Sequence, residues 1–343
     1  MSATEPPPPS AAKREAALSA PLPAAFAVIE GRLDAVEESF RANLASPVRL
    51  IAEIGDYVAA GGGKRVRPAL HLLCAKLCGY EGPHDVLMAT VLEFIHSATL
   101  IHDDIIDEAK TRRGRPSVNR RWGANVTVLF GDYMLAKAME MALDAGSLRI
   151  MRKLAEVTMR MTEGEMLQTR HAGRLDLSVE EHLDLIERKT AVLFSGCCEI
   201  AGMLGGVSPD REERLRGYGL NLGLAFQIVD DLLDFTGDPR TLGKPSANDL
   251  REGKVTLALI DLLASGPARG RELARAVLDG GAADGPEIAE LTALLEANGS
   301  IARARECAGR YAAKAAAQLA PFPAGPAREA LEALPGLLVL RDR

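Results

Sequence analysis

Two acidic pentads, Asp103-Asp104-Ile105-Ile106-Asp107 and Asp230-Asp231-Leu232-Leu233-Asp234, sit inside apolar sequence with a helical period, and no other feature restricts this chain as much. On a helix turning about 100° per residue, positions i, i+1 and i+4 fall within one sector about 100° wide, so each triplet is expected to aim its carboxylates one way. Two ionised carboxylates about 5 Å apart repel by roughly 3 kcal/mol even at an effective dielectric near 20. A cation must offset that. Oxygen ligands without His or Cys suit a hard ion, and Mg²⁺ in particular is held by a few carboxylates shared with substrate phosphates. A lone Asp-Asp-x-x-Asp is as easily a solvated helix face. Here Leu100, Ile101, Ile105 and Ile106 bracket the first copy, and Ile228, Val229, Leu232, Leu233 and Phe235 bracket the second. Carboxylates set among so many apolar residues point into a cleft.

The 343 residues, 47% of them hydrophobic, supply a substantial core, and no linker divides the middle of the chain. The segments Ala69–Cys78, Val86–Asp107, Ala124–Leu143, Ile150–Thr169, Val179–Ile200, Glu212–Phe235 and Val255–Leu263 carry helix-period apolar residues and good helix formers. Gly/Pro punctuation separates them, and strand signals are nearly absent. The expectation is an all-α fold of antiparallel helices around a central cavity, forming one domain over residues 25–343. Residues 1–24, rich in proline and small side chains, read as a disordered tail. Glu5 and Glu15 oppose a transit peptide, and no stretch reaches the ~18 apolar residues of a membrane span, so a soluble, cytoplasmic protein without a transmembrane segment is expected. Five cysteines without paired C-x-x-C spacing argue against a disulfide framework or a zinc site. A net charge of −6 with no basic, aromatic-laced patch excludes nucleic acid as the partner.

Cations answer the acids along the chain. Gly61-Gly62-Gly63-Lys64-Arg65-Val66-Arg67-Pro68 leads flexible backbone into basic residues at a helix entrance, an arrangement suited to a diphosphate although not a Walker loop. Arg112-Arg113-Gly114 follows the first pentad, and Lys244 and Lys254 follow the second. With no Ser–His–Asp set and no reactive cysteine setting, this constellation fits metal-bridged chemistry on a highly anionic substrate with a diphosphate leaving group. Glu93-x-x-His96 has the spacing of a di-iron element. The only companion, Glu81 to His84, is broken by Gly-Pro, so His96 reads instead as a neutral hydrogen-bond donor near the acidic cleft or a satisfied core histidine.

Taken together, GGGKRVRP, EFIHSATLIHDDIIDEAKTRRG, EGEMLQ, Lys189-Thr190 and FQIVDDLLD with Gly243-Lys244 resemble the trans-isoprenyl (polyprenyl) diphosphate synthases, from about Ala25 to the C-terminus and in that family's order. The resemblance implies the isoprenoid-synthase fold with a central elongation cavity, a homodimer, and condensation of an allylic diphosphate such as farnesyl diphosphate with isopentenyl diphosphate. It implies Mg²⁺, about three ions per substrate-loaded site, with Asp103, Asp107 and Asp230 as direct ligands and Asp104, Asp231 and Asp234 completing the clusters. It places isopentenyl diphosphate on Lys64, Arg67, His96 and Arg113. The allylic diphosphate falls to Arg112, Lys189, Gln227 and Lys244, with Thr190 and Gln227 near the developing carbocation.

Product length follows from the residues before the first pentad. Ala98 and Thr99 are expected about a turn and a half below the metal site, in the path of the growing tail, where short-chain members of the family carry bulky aromatics. Both are small here, the first pentad lacks the insertion of bacterial short-chain enzymes, and EGEMLQ is similar to long-chain members. The implied product is octaprenyl to decaprenyl diphosphate for a quinone side chain such as that of ubiquinone, with transient membrane contact for its release. Short- and medium-chain synthases are the nearest alternatives. A terpene cyclase fits less well because aromatics are only 4% of the chain and the second pentad is intact, and a non-catalytic subunit would have lost acidic motifs.

Overall fold

The structure, a computed structural model, describes residues 25–237, 247–280 and 285–339; the expected tail and Lys244 lie outside the described residues. After a short 3₁₀ turn at Ala27–Ile29, helices α1 (Glu30–Leu44), α2 (Arg49–Ala59), α3 (Val66–Leu77) and α4 (His84–Ile106) lead to a small hairpin. There β1 (Thr111–Arg112) pairs antiparallel with β2 (Arg115–Pro116). Next come α5 (Val118–Trp122), α6 (Ala124–Leu143), α7 (Leu148–His171), α8 (Val179–Ile186), α9 (Val192–Leu204) and α10 (Pro209–Thr236). The remainder is α11 (Asn248–Arg251), α12 (Leu257–Ser265), α13 (Ala268–Leu278), α14 (Pro286–Ala297), α15 (Ser300–Gln318) and α16 (Pro326–Val339). The all-α class expected from the sequence is what forms.

Local chemistry sets the helix ends. Ser147 accepts from the Ile150 amide at the start of α7, and Ser178 and Glu181 form a reciprocal capping box that opens α8. Pro209 begins α10, where its missing N–H costs nothing.

The buried side chains form two apolar clusters, and α10 belongs to both. Its Leu215, Tyr218 and Leu222 join the first with α1, α3, α4, α6 and α9. Its Leu224, Ile228, Val229, Leu232, Leu233 and Phe235 join the second with α8 and α12–α14. The second acidic pentad therefore sits at the seam between the clusters, where it faces the end of α4.

Three glycines let backbones meet at that seam. A Cβ on Gly219 would lie 2.4 Å from the Phe194 carbonyl oxygen, and one on Gly223 would lie 2.6 Å from Ala191 Cα, so α9 and α10 pack almost backbone to backbone. A Cβ on Gly164 would stand 2.5 Å from the Lys189 amide nitrogen, which presses α7 against the same region. That region corrects one expectation. Val179–Ile200 reads as a single helix, but α8 ends at Ile186 and a π-type turn over Glu187–Ala191 precedes α9. The widened turn inserts one extra residue, and such bulges recur at functional sites.

A swap from glycine to alanine should discriminate this packing from helix propensity. Gly219→Ala gains up to about 1 kcal/mol of propensity, but the backbone collision should win and lower stability by about 1–3 kcal/mol. Gly309→Ala in α15, where nothing lies within 4 Å, should instead raise stability by up to about 1 kcal/mol. Urea unfolding of both variants beside the wild type measures the two signs, and a stabilised Gly219→Ala would refute the close approach.

Candidate active site

Between α4, α7, α8, the π turn and α10 lies a cavity of about 780 Å³. Helix α4 contributes Leu100 and Asp103, its C-cap residue is Asp107, α10 contributes Gln227, Asp230 and Asp231, and the turn contributes both Lys189 and Thr190. Lys189 and Thr190 both belong to the π turn, so the irregular segment of the chain forms part of the cavity wall. Arg112 and Arg113 reach in from the hairpin, Gln168 from α7 and Lys254 from the loop after α11.

Only two carboxylates of each triplet face the cavity, which corrects the expectation of a common direction. Positions 103 and 107 differ by only about 40° around the helix, whereas 104 is about 100° from 103. Asp104 is buried and accepts from Arg112, with Nε at 2.8 Å and Nη2 at 2.5 Å from Oδ1. Asp234 is likewise buried and accepts from the Asp249 amide at 2.9 Å, so it braces α10 against α11. Asp231 lies between these roles. It lines the cavity, and its Oδ1 accepts from Gln227 Nε2 at 2.7 Å while Gln227 Oε1 accepts from the Thr190 hydroxyl at 2.8 Å.

The electrostatics follow from burial. Loss of solvent pushes the Asp103 carboxyl up to about 7, against the pull of Lys189 and with the push of Glu165 and Asp107. Burial also raises Asp231, with Asp249, Asp230 and Asp234 adding like charge. Lys254 Nζ sits 3.1 Å from Asp107 Oδ2, and burial opposes but does not overcome the raising effect of Asp107 and Glu252 on this amine. Lys189 Nζ is held 2.6 Å from Glu165 Oε2 and 3.0 Å from Gln168 Oε1. Hard oxygen donors on two walls fit a divalent ion of the Mg²⁺ type. An ion of that kind is commonly held by one or two carboxylates together with substrate phosphates.

The family model described as polyprenyl synthetase matches residues 48–295. The chain belongs to the polyprenyl synthetase family. It is 39% identical over 301 residues to the octaprenyl diphosphate synthase of Escherichia coli (strain K12), covering 88% of this chain and 93% of that enzyme. Its fold matches the polyprenyl synthase of Caulobacter crescentus CB15, complexed with calcium and isoprenyl diphosphate, with a TM-score of 0.89 and 36% identity over 94% of this chain and 98% of that one. A decaprenyl diphosphate synthase from Rhodobacter capsulatus gives a TM-score of 0.86 and 37% identity over 92% and 98%. These relatives bear out the resemblance read from the motifs, the isoprenoid-synthase fold and the prenyltransferase class.

The basic group of this family member assembles beside the cavity rather than on its acidic walls. Arg65 bridges Glu37 of α1 and Glu93 of α4, the latter at 2.5 Å. Arg67 Nη1 lies 3.0 Å from His96 Nε2, and its guanidinium stacks 4.8 Å above the Phe194 ring. A guanidinium only donates, so His96 accepts through Nε2, which leaves the proton of the neutral ring on Nδ1 as its one donor. Burial and then the surrounding arginines hold the imidazole well below its usual range, hence neutral. The Arg113 guanidinium lies 3.0 Å from where a Cβ on Gly63 would stand, so it rests directly against that glycine. Lys64 is exposed at the start of this group.

Ala98 is fully buried in the first apolar cluster, and Thr99 is partly buried with its hydroxyl donating to the His96 carbonyl at 2.8 Å. Neither is among the residues lining the cavity, where Leu100 represents this turn of α4. Ala98 lies five residues before Asp103, about 140° around the helix, and so packs against neighbouring helices. Glu165, Gln168, His182 and Asp249 were not singled out from the sequence. EGEMLQ carried a signal for the first pair, because positions three apart share a helix face and both meet Lys189. His182 and Asp249 are brought in by tertiary packing alone.

The Asp103 shift sets a pH dependence. Its folded-state value lies above the unfolded one, so its contribution to stability is present below about pH 4 and is lost as pH rises through about 7. Metal-free Asp103→Asn should therefore melt a few degrees higher than wild type at pH 8 and show little or no gain at pH 4. Scanning calorimetry in EDTA at both pH values checks this, and an equal effect at both would exclude a strained Asp103 ionisation.

Proposed function

We propose that this protein is a long-chain trans-polyprenyl diphosphate synthase that adds isopentenyl diphosphate units to an allylic diphosphate such as farnesyl diphosphate, ending at octaprenyl to decaprenyl length. The observation that carries this reading is the pairing of Asp103 and Asp107 with Asp230 and Asp231 across one cavity, with Lys189, Thr190 and Gln227 between them. Asp103, Asp107 and Asp230 would hold Mg²⁺, which when bound supplies Lewis-acid stabilisation of the departing diphosphate. Lys189, Arg112 and Lys244 bind the allylic diphosphate, and Lys64, Arg67, His96 and Arg113 bind isopentenyl diphosphate. Cations fixed before reaction stabilise charge as it builds on the leaving group, the kind of preorganisation that usually dominates catalysis.

In the reaction the allylic carbon–oxygen bond breaks and the diphosphate leaves with its electron pair. The isopentenyl double bond then attacks the allylic cation to form the new carbon–carbon bond. Thr190 and Gln227, joined by their hydrogen bond, orient oxygen dipoles along that path. Loss of a proton to the released diphosphate restores the double bond, so no protein base is required.

We assign product length to the small side chains Ala98 and Thr99 on the turn of α4 that also carries Leu100, by the room they leave below the cavity wall rather than by lining it; the long-chain relatives support the length and say nothing of these two residues. The product would serve as a quinone tail such as that of ubiquinone, made in the cytoplasm and handed over at the membrane surface. No helix among the described residues is long and apolar enough to cross a membrane. The homodimer is supported by apolar residues left uncovered on α6 and α7. Leu129 is 68% and Met166 70% exposed, and Val128, Leu143, Leu148 and Met159 extend the strip.

Incubation with farnesyl diphosphate, labelled isopentenyl diphosphate and Mg²⁺ should give octaprenyl to decaprenyl products on reverse-phase sizing. Asp230→Ala should lose turnover by orders of magnitude while remaining folded. Ala98→Phe, overpacked by about 1–3 kcal/mol, should melt lower and release shorter products. Normal turnover in Asp230→Ala would defeat the metal assignment, and an unchanged distribution from folded Ala98→Phe would remove Ala98 from length control. Light scattering at micromolar concentration should give twice the chain mass, with Leu129→Glu/Met166→Glu shifting it toward monomer; a monomeric wild type would contradict the dimer.

A further inference from the structure

Tyr57 of α2 does not line the catalytic cavity, yet it gathers the hairpin that carries Arg112 and Arg113. Its hydroxyl donates to the Pro116 carbonyl at 2.7 Å, across 59 residues of sequence. The Arg115 guanidinium lies 4.0 Å above its ring and returns a hydrogen bond from Nη1 to the Tyr57 carbonyl at 3.2 Å. Arg121 stacks on the same ring at 4.7 Å, and Trp122 meets it edge-on at 5.1 Å. One phenol thus fastens β2 and the end of α5 to α2.

The two arginines of the hairpin depend on this fastening to different degrees. Arg112 is independently tethered to Asp104. Arg113 makes no protein hydrogen bond among the described residues, and its backbone is left-handed at φ 52°, followed by Gly114 at φ 72°. Two consecutive positive φ values suit a two-residue hairpin turn, but a non-glycine residue keeps one only where its surroundings determine it. The guanidinium still has a defined place over Gly63. The Tyr57–Pro116 and Tyr57–Arg115 contacts restrain the far strand of the turn, as the Arg112–Asp104 pair restrains the near one.

We propose that Tyr57 is a positioning residue for isopentenyl diphosphate, acting by clamping the β1–β2 hairpin so that Arg113 meets the diphosphate. This rests on the reading of Arg113 as a ligand of that substrate. Tyr57→Phe removes only the hydroxyl, and Tyr57→Leu also removes the aromatic face that Arg115 and Arg121 cover.

The test combines steady-state kinetics, with each substrate varied in turn, and hydrogen–deuterium exchange at residues 111–116. Tyr57→Phe should raise KM for isopentenyl diphosphate about 3- to 10-fold, the loss expected of one hydrogen bond. KM for farnesyl diphosphate and kcat should stay within about two-fold, inside the usual reach of remote effects. Tyr57→Leu should raise the first KM further, and the hairpin amides should exchange faster in both variants. Affinity for inorganic diphosphate, measured by calorimetry, should fall in parallel without any turnover. Equal rises in both KM values, a fall in kcat alone, or faster exchange with KM unchanged would overturn the proposal. If Tyr57→Leu does not fold, Tyr57→Phe decides by the same criteria. A wild type that forms no prenyl product, with variants that still weaken diphosphate binding and loosen the hairpin, would defeat the enzymatic reading and leave the clamp standing.

Discussion

The mutual repulsion of carboxylates at the seam between two apolar clusters governs this molecule. Asp103 and Asp107 on α4 and Asp230 and Asp231 on α10 are placed where water cannot screen them well, and burial raises Asp103 and Asp231 accordingly. Each nearby cation answers that cost. Lys254 contacts Asp107, Lys189 stands near Asp103, and Arg112 neutralises Asp104 from behind. A site built in this way is poised for cations and anionic substrate together, because the protein's own charges compensate it only in part.

The fold serves that arrangement through close backbone contact. Gly164, Gly219 and Gly223 let α7, α9 and α10 approach to distances that a single methyl group would prevent. The π turn between α8 and α9 lies under this pressure and presents Lys189 and Thr190 side by side. Glu165 and Gln168 then hold the lysine, and Gln227 links the threonine to Asp231. The second pentad and the Lys-Thr pair thereby become one wall, although about forty residues separate them in the chain.

The basic group is organised differently. Arg65 spends its charge on Glu37 and Glu93 and so works as a brace between α1 and α4. Arg67 is stacked on Phe194 and meets His96, Arg113 rests against Gly63, and His96 stays neutral among them. The acidic wall and the basic group share Arg112 and Arg113 on the hairpin, so the geometry of that short turn sets the spacing between the two groups. Its restraint by Tyr57 joins α2 to the site.

Helical period, two acidic pentads and the glycine-basic entrance were legible in the sequence because each is a local pattern. A 3.6-residue repeat needs no partner to be read, and an unscreened pair of aspartates on an apolar helix demands a cation wherever it folds. Those features determined the helical class, the diphosphate chemistry and the family. What they did not determine is which carboxylates face inward. Asp104 and Asp234 look equivalent to their neighbours in sequence, and only packing against Arg112 and α11 turns them away from the cavity. Ala98 reads as a cavity residue by its distance from Asp103 and lies in the core by its angle. The break at Glu187–Ala191 and the recruitment of His182 and Asp249 have no local signature either. Each depends on a neighbouring helix at a particular approach, which for the Glu187–Ala191 turn is made possible by Gly164 and Gly223 far away in the chain. Identity of the reacting groups is thus a property of single segments, whereas their direction is a property of helix pairs that only the tertiary structure brings into contact.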